Sequence, residues 1–180
     1  MTPPAEVQSD NQLRAGSDAA AVLFLLLARG ETLATAESLT GGMIGASLTS
    51  VSGASAAYVG GVISYATRLK GTLARVSAPT LERFGPVSAQ TAAEMATGVA
   101  TVCGADWGLA VTGVAGPDPQ DGHPVGQVFI AVADRGSAGQ VRLREFALSG
   151  TRADIRAQTA EHALHLMKTV LSKDPPAPAE

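Results

Sequence analysis

Apolar and polar positions along this chain fall into blocks whose period changes, and the changes mark out the elements. Asp18 to Arg29 contains the apolar run Ala19 to Ala28 and stops at Gly30, a residue suited to closing a helix. Thr32 to Ala36 is a short strand. Glu37-Ser38-Leu39-Thr40-Gly41-Gly42 breaks it, and Met43 to Ser50 comes next as a helix. Tyr58 to Ala66 alternates with the period of a strand, and its Gly60-Gly61 pair marks a bulge or a close backbone approach. Ala78 to Phe84 is a short helix. Ser88 caps a longer one reaching Cys103, with Ala92, Met95, Ala96 and Val99 on its apolar face. Trp107 to Thr112 is a buried strand that ends in Gly113-Val114-Ala115-Gly116-Pro117. Val125 to Ala133 and Val141 to Leu148 form an antiparallel hairpin, and Thr151 caps a final helix to about Ser172. Strands alternating with helices predict an α/β fold: a three-layer α/β/α domain with a mixed sheet.

Composition narrows this to one unit. At 180 residues, with 46% hydrophobic and 16% charged positions, the chain can bury one core and is too apolar for disorder. The expected organisation is a flexible segment over residues 1–15, one domain over 16–172 and a disordered Pro/Ala tail over 173–180. A net charge of -3 with scattered Lys and Arg gives no basic face for nucleic acid. Cys103 is the sole cysteine, which excludes an intramolecular disulfide and suits a buried structural thiol. His123, His162 and His165 lack metal-ligand spacing, so neither a metal nor another cofactor is expected. The first apolar run is too short to span a bilayer, and Glu6, Asp10 and Asp18 against Arg14 deny it the basic start of a secretory signal. A cytoplasmic protein without membrane contact is the expectation. Small, Ala- and Gly-rich helices suit a homo-oligomer.

Two loops have the composition for chemistry. In open α/β sheets, ligands bind where strand ends turn into loops. Ser38 sits at a strand-to-helix turn whose glycines let a substrate approach, and unpaired amides near Thr40, Gly41 and Gly42 can hold an oxyanion. The same residues read equally as a plain helix cap. The second loop, Thr112 to Asp118, offers backbone amides through Gly113 and Gly116 to a phosphate or a polar ring. A serine nucleophile needs a base. No histidine has a compelling setting, whereas a desolvated lysine can accept a proton at neutral pH. Lys70 lies beyond a strand carrying Tyr65, whose hydroxyl can relay that proton, although an exposed lysine at a turn fits the spacing as well.

At these residues the chain resembles a known family. Ala36-Glu37-Ser38-Leu39-Thr40-Gly41-Gly42 is similar to its A-E-S-x-T-G-G segment, and Val51-Ser52-Gly53-Ala54-Ser55 to its G-x-S turn. Gly61-Val62-Ile63-Ser64-Tyr65 through Lys70 resembles its Tyr/Lys strand, and Gly85-Pro86-Val87-Ser88 its G-x-V-S helix start. Thr112-Gly113-Val114-Ala115-Gly116-Pro117, Pro124-Val125-Gly126 and Ser149-Gly150-Thr151-Arg152 through Arg156 complete the series. The family is the C-terminal domain of the competence/damage-inducible protein CinA, which includes nicotinamide-nucleotide amidases. The resemblance implies hydrolysis of nicotinamide mononucleotide to nicotinic acid mononucleotide and ammonia, with Ser38 as nucleophile and Lys70 and Tyr65 handling the proton. It implies substrate contacts at Thr112, Gly113, Gly116 and Arg152, with Arg156 as a further anion-binding candidate. Any activity of the N-terminal domain of longer CinA proteins is not expected here. Leu39 stands where the family commonly has Cys, and Thr67 where it has Asn.

Overall fold

A computed structural model of the chain describes residues 17–136 and 140–173. The flexible ends expected from sequence, and the tip of the hairpin turn, lie outside the described residues.

Each element forms where its local chemistry allows. Helix α1 (Asp18–Arg29) is capped by the Ser17 hydroxyl and closed by Gly30 at φ 64°. Strand β1 (Leu33–Glu37) leads to α2 (Met43–Thr49), a 3₁₀ turn (Ala54–Ala56) and β2 (Tyr58–Ile63). Short helices α3 (Thr67–Thr72) and α4 (Ala78–Phe84) precede α5 (Ala89–Cys103), which Ser88 caps through the Thr91 amide. Strands β3 (Trp107–Gly113), β4 (Gln127–Asp134) and β5 (Val141–Ala147) then lead to α6 (Arg152–Lys173).

The sheet order is β2-β1-β3-β4-β5, with β2, β1 and β3 parallel and β3, β4 and β5 antiparallel. Strand alternation sorts side chains onto two faces. Leu33, Leu109, Val111, Val128 and Ile130 face one core with α1, α2 and α6. Ala34, Ala36, Ala110, Ala131 and Ala133 face a second core with α5. The second face is built from small residues, and α5 rides close against it. A Cβ at Gly108 would collide with the Ala96 carbonyl of α5. The domain is therefore the three-layer α/β/α unit with a mixed sheet. Among the described residues no helix is long and apolar enough to cross a membrane.

The strand expected to continue to Ala66 ends at Ile63. Its partner β1 stops at Glu37, and the Ser64 amide donates the final rung to the Glu37 carbonyl at 2.8 Å. Beyond that rung the chain turns into α3, a helix that alternation alone did not reveal. Cys103, expected to be buried, is only partly so at the end of α5.

Candidate active site

The parallel strands β1 and β3 end on the same side of the sheet, and their loops form the walls of one cavity of about 140 Å³. Ser38, Leu39, Tyr65, Thr67 and Lys70 line it from one side, and Thr112 to Gly116, Asp118, Gln120 and Arg152 from the other.

At its floor, Lys70 Nζ lies 2.8 Å from Ser38 Oγ. Both residues are buried, at 2% and 8% exposure. Lys70 is the only fully buried residue of α3, a helix of six residues in which Leu69 and Gly71 are half-buried and the rest exposed. Its other neighbours are the Ser64 carbonyl at 3.3 Å and the Met95 thioether at 4.0 Å. Among the described residues no carboxylate pairs with it. Burial without a counter-charge disfavours the ammonium form and lowers its pKa from 10.5 to about 8. The result is an amine that can exchange a proton with Ser38 near neutrality.

The loop after Ser38 is tied down by its own neighbours. Glu37 is 2% exposed, and its carboxylate accepts from the amides of Gly42, Ile44 and Gly45 at 2.8–3.1 Å. An anion thus occupies the N-terminus of α2, where unpaired N–H groups favour negative charge. The Gly41 amide donates back to the Ser38 carbonyl at 3.1 Å. Thr40, Gly41 and Gly42 were the expected oxyanion donors. The two glycine amides are consumed internally, and none of the three residues lines the cavity. Leu39, Ala115 and Gly116 do line it, and their amides donate to no acceptor among the described residues.

The second loop is anchored differently. Thr112 Oγ1 donates to the Pro86 carbonyl at 2.7 Å, the Val114 amide to Gln127 O at 3.0 Å, and the Gly126 amide to Val114 O at 2.8 Å. Gly113 and Gly126 are required by close packing, since a Cβ on either would strike the backbone of β4 or of Leu148.

Tyr65 stands apart from the Ser38–Lys70 pair. It is 62% exposed, and its hydroxyl accepts from Arg152 Nη2 at 2.9 Å, bonding to neither Ser38 nor Lys70. Arg152 also donates to the Gly116 carbonyl at 2.6 Å, so it joins Tyr65 to the second loop at the cavity mouth. Arg156 is outside the cavity. Its Nε and Nη2 donate to the Leu39 and Thr40 carbonyls at 3.0 and 2.9 Å. The histidines are engaged elsewhere: His123 with Gln127, His162 stacked on Phe146, and His165 with Asp18. Sequence reasoning missed Glu37 as the α2 cap, and Asp118 and Gln120 at the mouth. The only signal for the first was a carboxylate at the end of β1, five residues ahead of the glycine that opens α2.

Comparison with known proteins agrees with this architecture. The model of the CinA C-terminal domain matches residues 17–171. The chain is 48% identical over 151 residues to the CinA-like protein of Frankia casuarinae, covering 84% of this chain and 34% of that one. It is 41% identical over 145 residues to a putative competence-damage inducible protein of Bacillus subtilis, covering 81% and 34%. The chain therefore spans about a third of the length of these relatives. The crystal structure of a competence-damaged protein (CinA) superfamily protein from Klebsiella pneumoniae aligns with TM-score 0.82 and 34% identity, covering 87% of this chain and 97% of that one. The competence/damage inducible protein CihA from Agrobacterium tumefaciens aligns with TM-score 0.80 and 35% identity, over 86% and 93%.

Proposed function

This chain belongs to the CinA C-terminal domain family, and from that premise we propose that it is a serine amidohydrolase that deamidates nicotinamide mononucleotide. The observation that carries the reading is the buried contact of Lys70 Nζ with Ser38 Oγ at 2.8 Å, at the floor of a cavity. A lysine kept in a dry site without a carboxylate costs stability, and base chemistry gives that cost a purpose.

In the proposed reaction, neutral Lys70 accepts the Ser38 proton as Oγ attacks the carboxamide carbon. The amides of Leu39, Ala115 and Gly116, which belong to cavity-lining residues and donate to no acceptor among the described residues, supply the oxyanion's donors in this reaction. Lys70 then passes the proton to the nitrogen, the C–N bond breaks and ammonia leaves. Water attacks the Ser38 ester as Lys70 takes its proton, Lys70 returns that proton to Oγ as the C–O bond breaks, and the acid departs as its carboxylate, releasing its own proton to solvent. A cavity of about 140 Å³ falls below the roughly 300–1,000 Å³ that encloses a drug-sized ligand, so it holds the amide-bearing ring. The ribose and phosphate then lie at the open mouth beside Arg152. Tyr65, held by Arg152, acts as a wall for the ring and not as the proton carrier expected from sequence.

Ammonia release from nicotinamide mononucleotide by the purified chain tests the reading, with Ser38→Ala alongside. Turnover by the wild type that Ser38→Ala abolishes supports it. Binding without ammonia release would replace it with a non-catalytic nucleotide-binding role.

A further inference from the structure

Helix α6 sends two arginines, one turn apart, to different loops. Arg152 reaches the Gly116 carbonyl and Tyr65, whereas Arg156 reaches the backbone beside the serine. We propose that Arg156 is a positioning residue that sets the angle at which the nucleophile loop presents Ser38, an inference that rests on Ser38 being the nucleophile.

Successive peptide groups of the loop are held one by one. The Ser38 carbonyl is held by the Gly41 amide, and the Leu39 and Thr40 carbonyls by Arg156. In a trans peptide the C=O and the next N–H point in opposite directions. Fixing the carbonyls of Ser38 and Leu39 therefore fixes the direction of the Leu39 and Thr40 N–H groups. Glu37 secures the far end of the loop through Gly42, Ile44 and Gly45. The loop is thus gripped by an anion on its amides and a cation on its carbonyls.

Two carbonyls on successive residues match the planar fork of a guanidinium, which offers two donors at fixed spacing. A lysine ammonium is a single point on a flexible stem. Gly41, at φ 62°, supplies the left-handed turn that brings its amide back to the Ser38 carbonyl, and a Cβ there would rest in contact with Arg156 Nη2 at 3.4 Å. The alternative is the anion-binding role suggested by sequence. Against it, the Nε and Nη2 donors face loop carbonyls, and Arg156 does not line the cavity.

The test compares Arg156→Gln and Arg156→Lys with wild type in three readouts. They are the rate at which a fluorophosphonate phosphonylates Ser38 with loss of fluoride, the steady-state constants for amide hydrolysis, and the thermal midpoint. Since misplacement of a reacting group by about 1 Å costs on the order of 10²-fold, phosphonylation and kcat should fall together by about 10- to 100-fold. KM should stay within about threefold, with folding retained in at least the lysine variant. A raised KM with unchanged kcat and phosphonylation would make Arg156 a ligand contact and overturn the proposal. So would a folded Arg156→Lys protein phosphonylated at the wild-type rate. If the wild type is phosphonylated yet releases no ammonia, the substrate assignment fails, and phosphonylation alone still decides the role of Arg156. If Ser38 is not phosphonylated at all, the nucleophile reading and this inference fall together.

Discussion

The two glycine-rich loops that wall the cavity look alike in sequence and are built on opposite plans. The loop from Ser38 to Gly42 is gripped from both ends by buried or half-buried charge, Glu37 on its amides and Arg156 on its carbonyls. The loop from Gly113 to Gly116 is anchored along its length by neutral bonds to its flanks, with a charged contact only at its far end, where exposed Arg152 meets the Gly116 carbonyl, and the Ala115 and Gly116 amides donate to no acceptor among the described residues. The first plan suits a nucleophile, whose rate depends on close control of its placement. The second suits a ligand, which brings its own acceptors to the donors left open. Changes in the first loop's surroundings should therefore appear in kcat and stability, and changes at Arg152, beside the second, in KM.

The largest effect should come from Lys70→Met, which removes the proposed base while filling its space. Loss of a general base costs about 10²–10⁴-fold in turnover. The same substitution should make the protein more stable. Folded Lys70 releases its proton near pH 8, and the unfolded side chain near 10.5. Between these values the unfolded chain binds the extra proton, so stability rises with pH across that window and the penalty is full below it. Lys70→Met removes a penalty of roughly 3 kcal/mol at pH 7, at 1.36 kcal/mol per unit. Chemical denaturation at pH 7 and pH 9.5 checks this, because the gain should shrink at the higher pH. In the wild type, kcat/KM should climb with pH, pass half its maximum near 8 and level off above it, as the neutral amine becomes the major form. A flat profile between pH 6 and 9 would count against Lys70 as base.

Next comes Glu37→Gln. It keeps the size and replaces one accepting oxygen with an NH₂ group that faces amides already lacking acceptors. Three amides share the carboxylate, and loss of charge-assisted bonds of this kind costs about 2–3 kcal/mol. The thermal midpoint should fall by several degrees, with kcat falling alongside. If instead only KM rose, the first loop would be behaving like the second and the contrast would break.

How much of this could be read from the chain obeys the same division. The strand and helix periods, the two turns, and Ser38 with Lys70 as candidates were all visible, because each is a local pattern or a motif in sequence order. What stayed hidden was the fate of individual backbone groups. Glu37 lies before α2, outside the usual capping spacing, and reaches amides five to eight residues on. Arg156 reaches carbonyls 116 and 117 residues away, a pairing that only the packing of α6 beside the loop creates. Tyr65 reads as a strand position by alternation, but β2 had lost its partner by then, so the side chain projects to the mouth. Lys70 carries no local sign of burial, since no other residue of its short helix is fully buried. Local patterns fix elements; the competition for donors and acceptors is decided by the fold.

At the second loop, Arg152→Ala should raise KM about tenfold and leave kcat within about threefold, as expected for a contact equally present in ground and transition states. Steady-state kinetics with mononucleotide and with free nicotinamide sharpen this, because only the phosphorylated substrate should feel the loss. Thr67 gives the smallest effect and the cleanest control. It lines the cavity, is exposed, and its side chain makes no hydrogen bond to either loop. Thr67→Asn, restoring the residue common in the family, should change stability by less than about 0.5 kcal/mol, as surface substitutions do. A KM shift of a few-fold with kcat unchanged would place position 67 with the ligand-facing wall. A fall in kcat of tenfold or more would instead mean that α3 transmits strain from its first turn to Lys70, and that the rigid region extends beyond the serine loop.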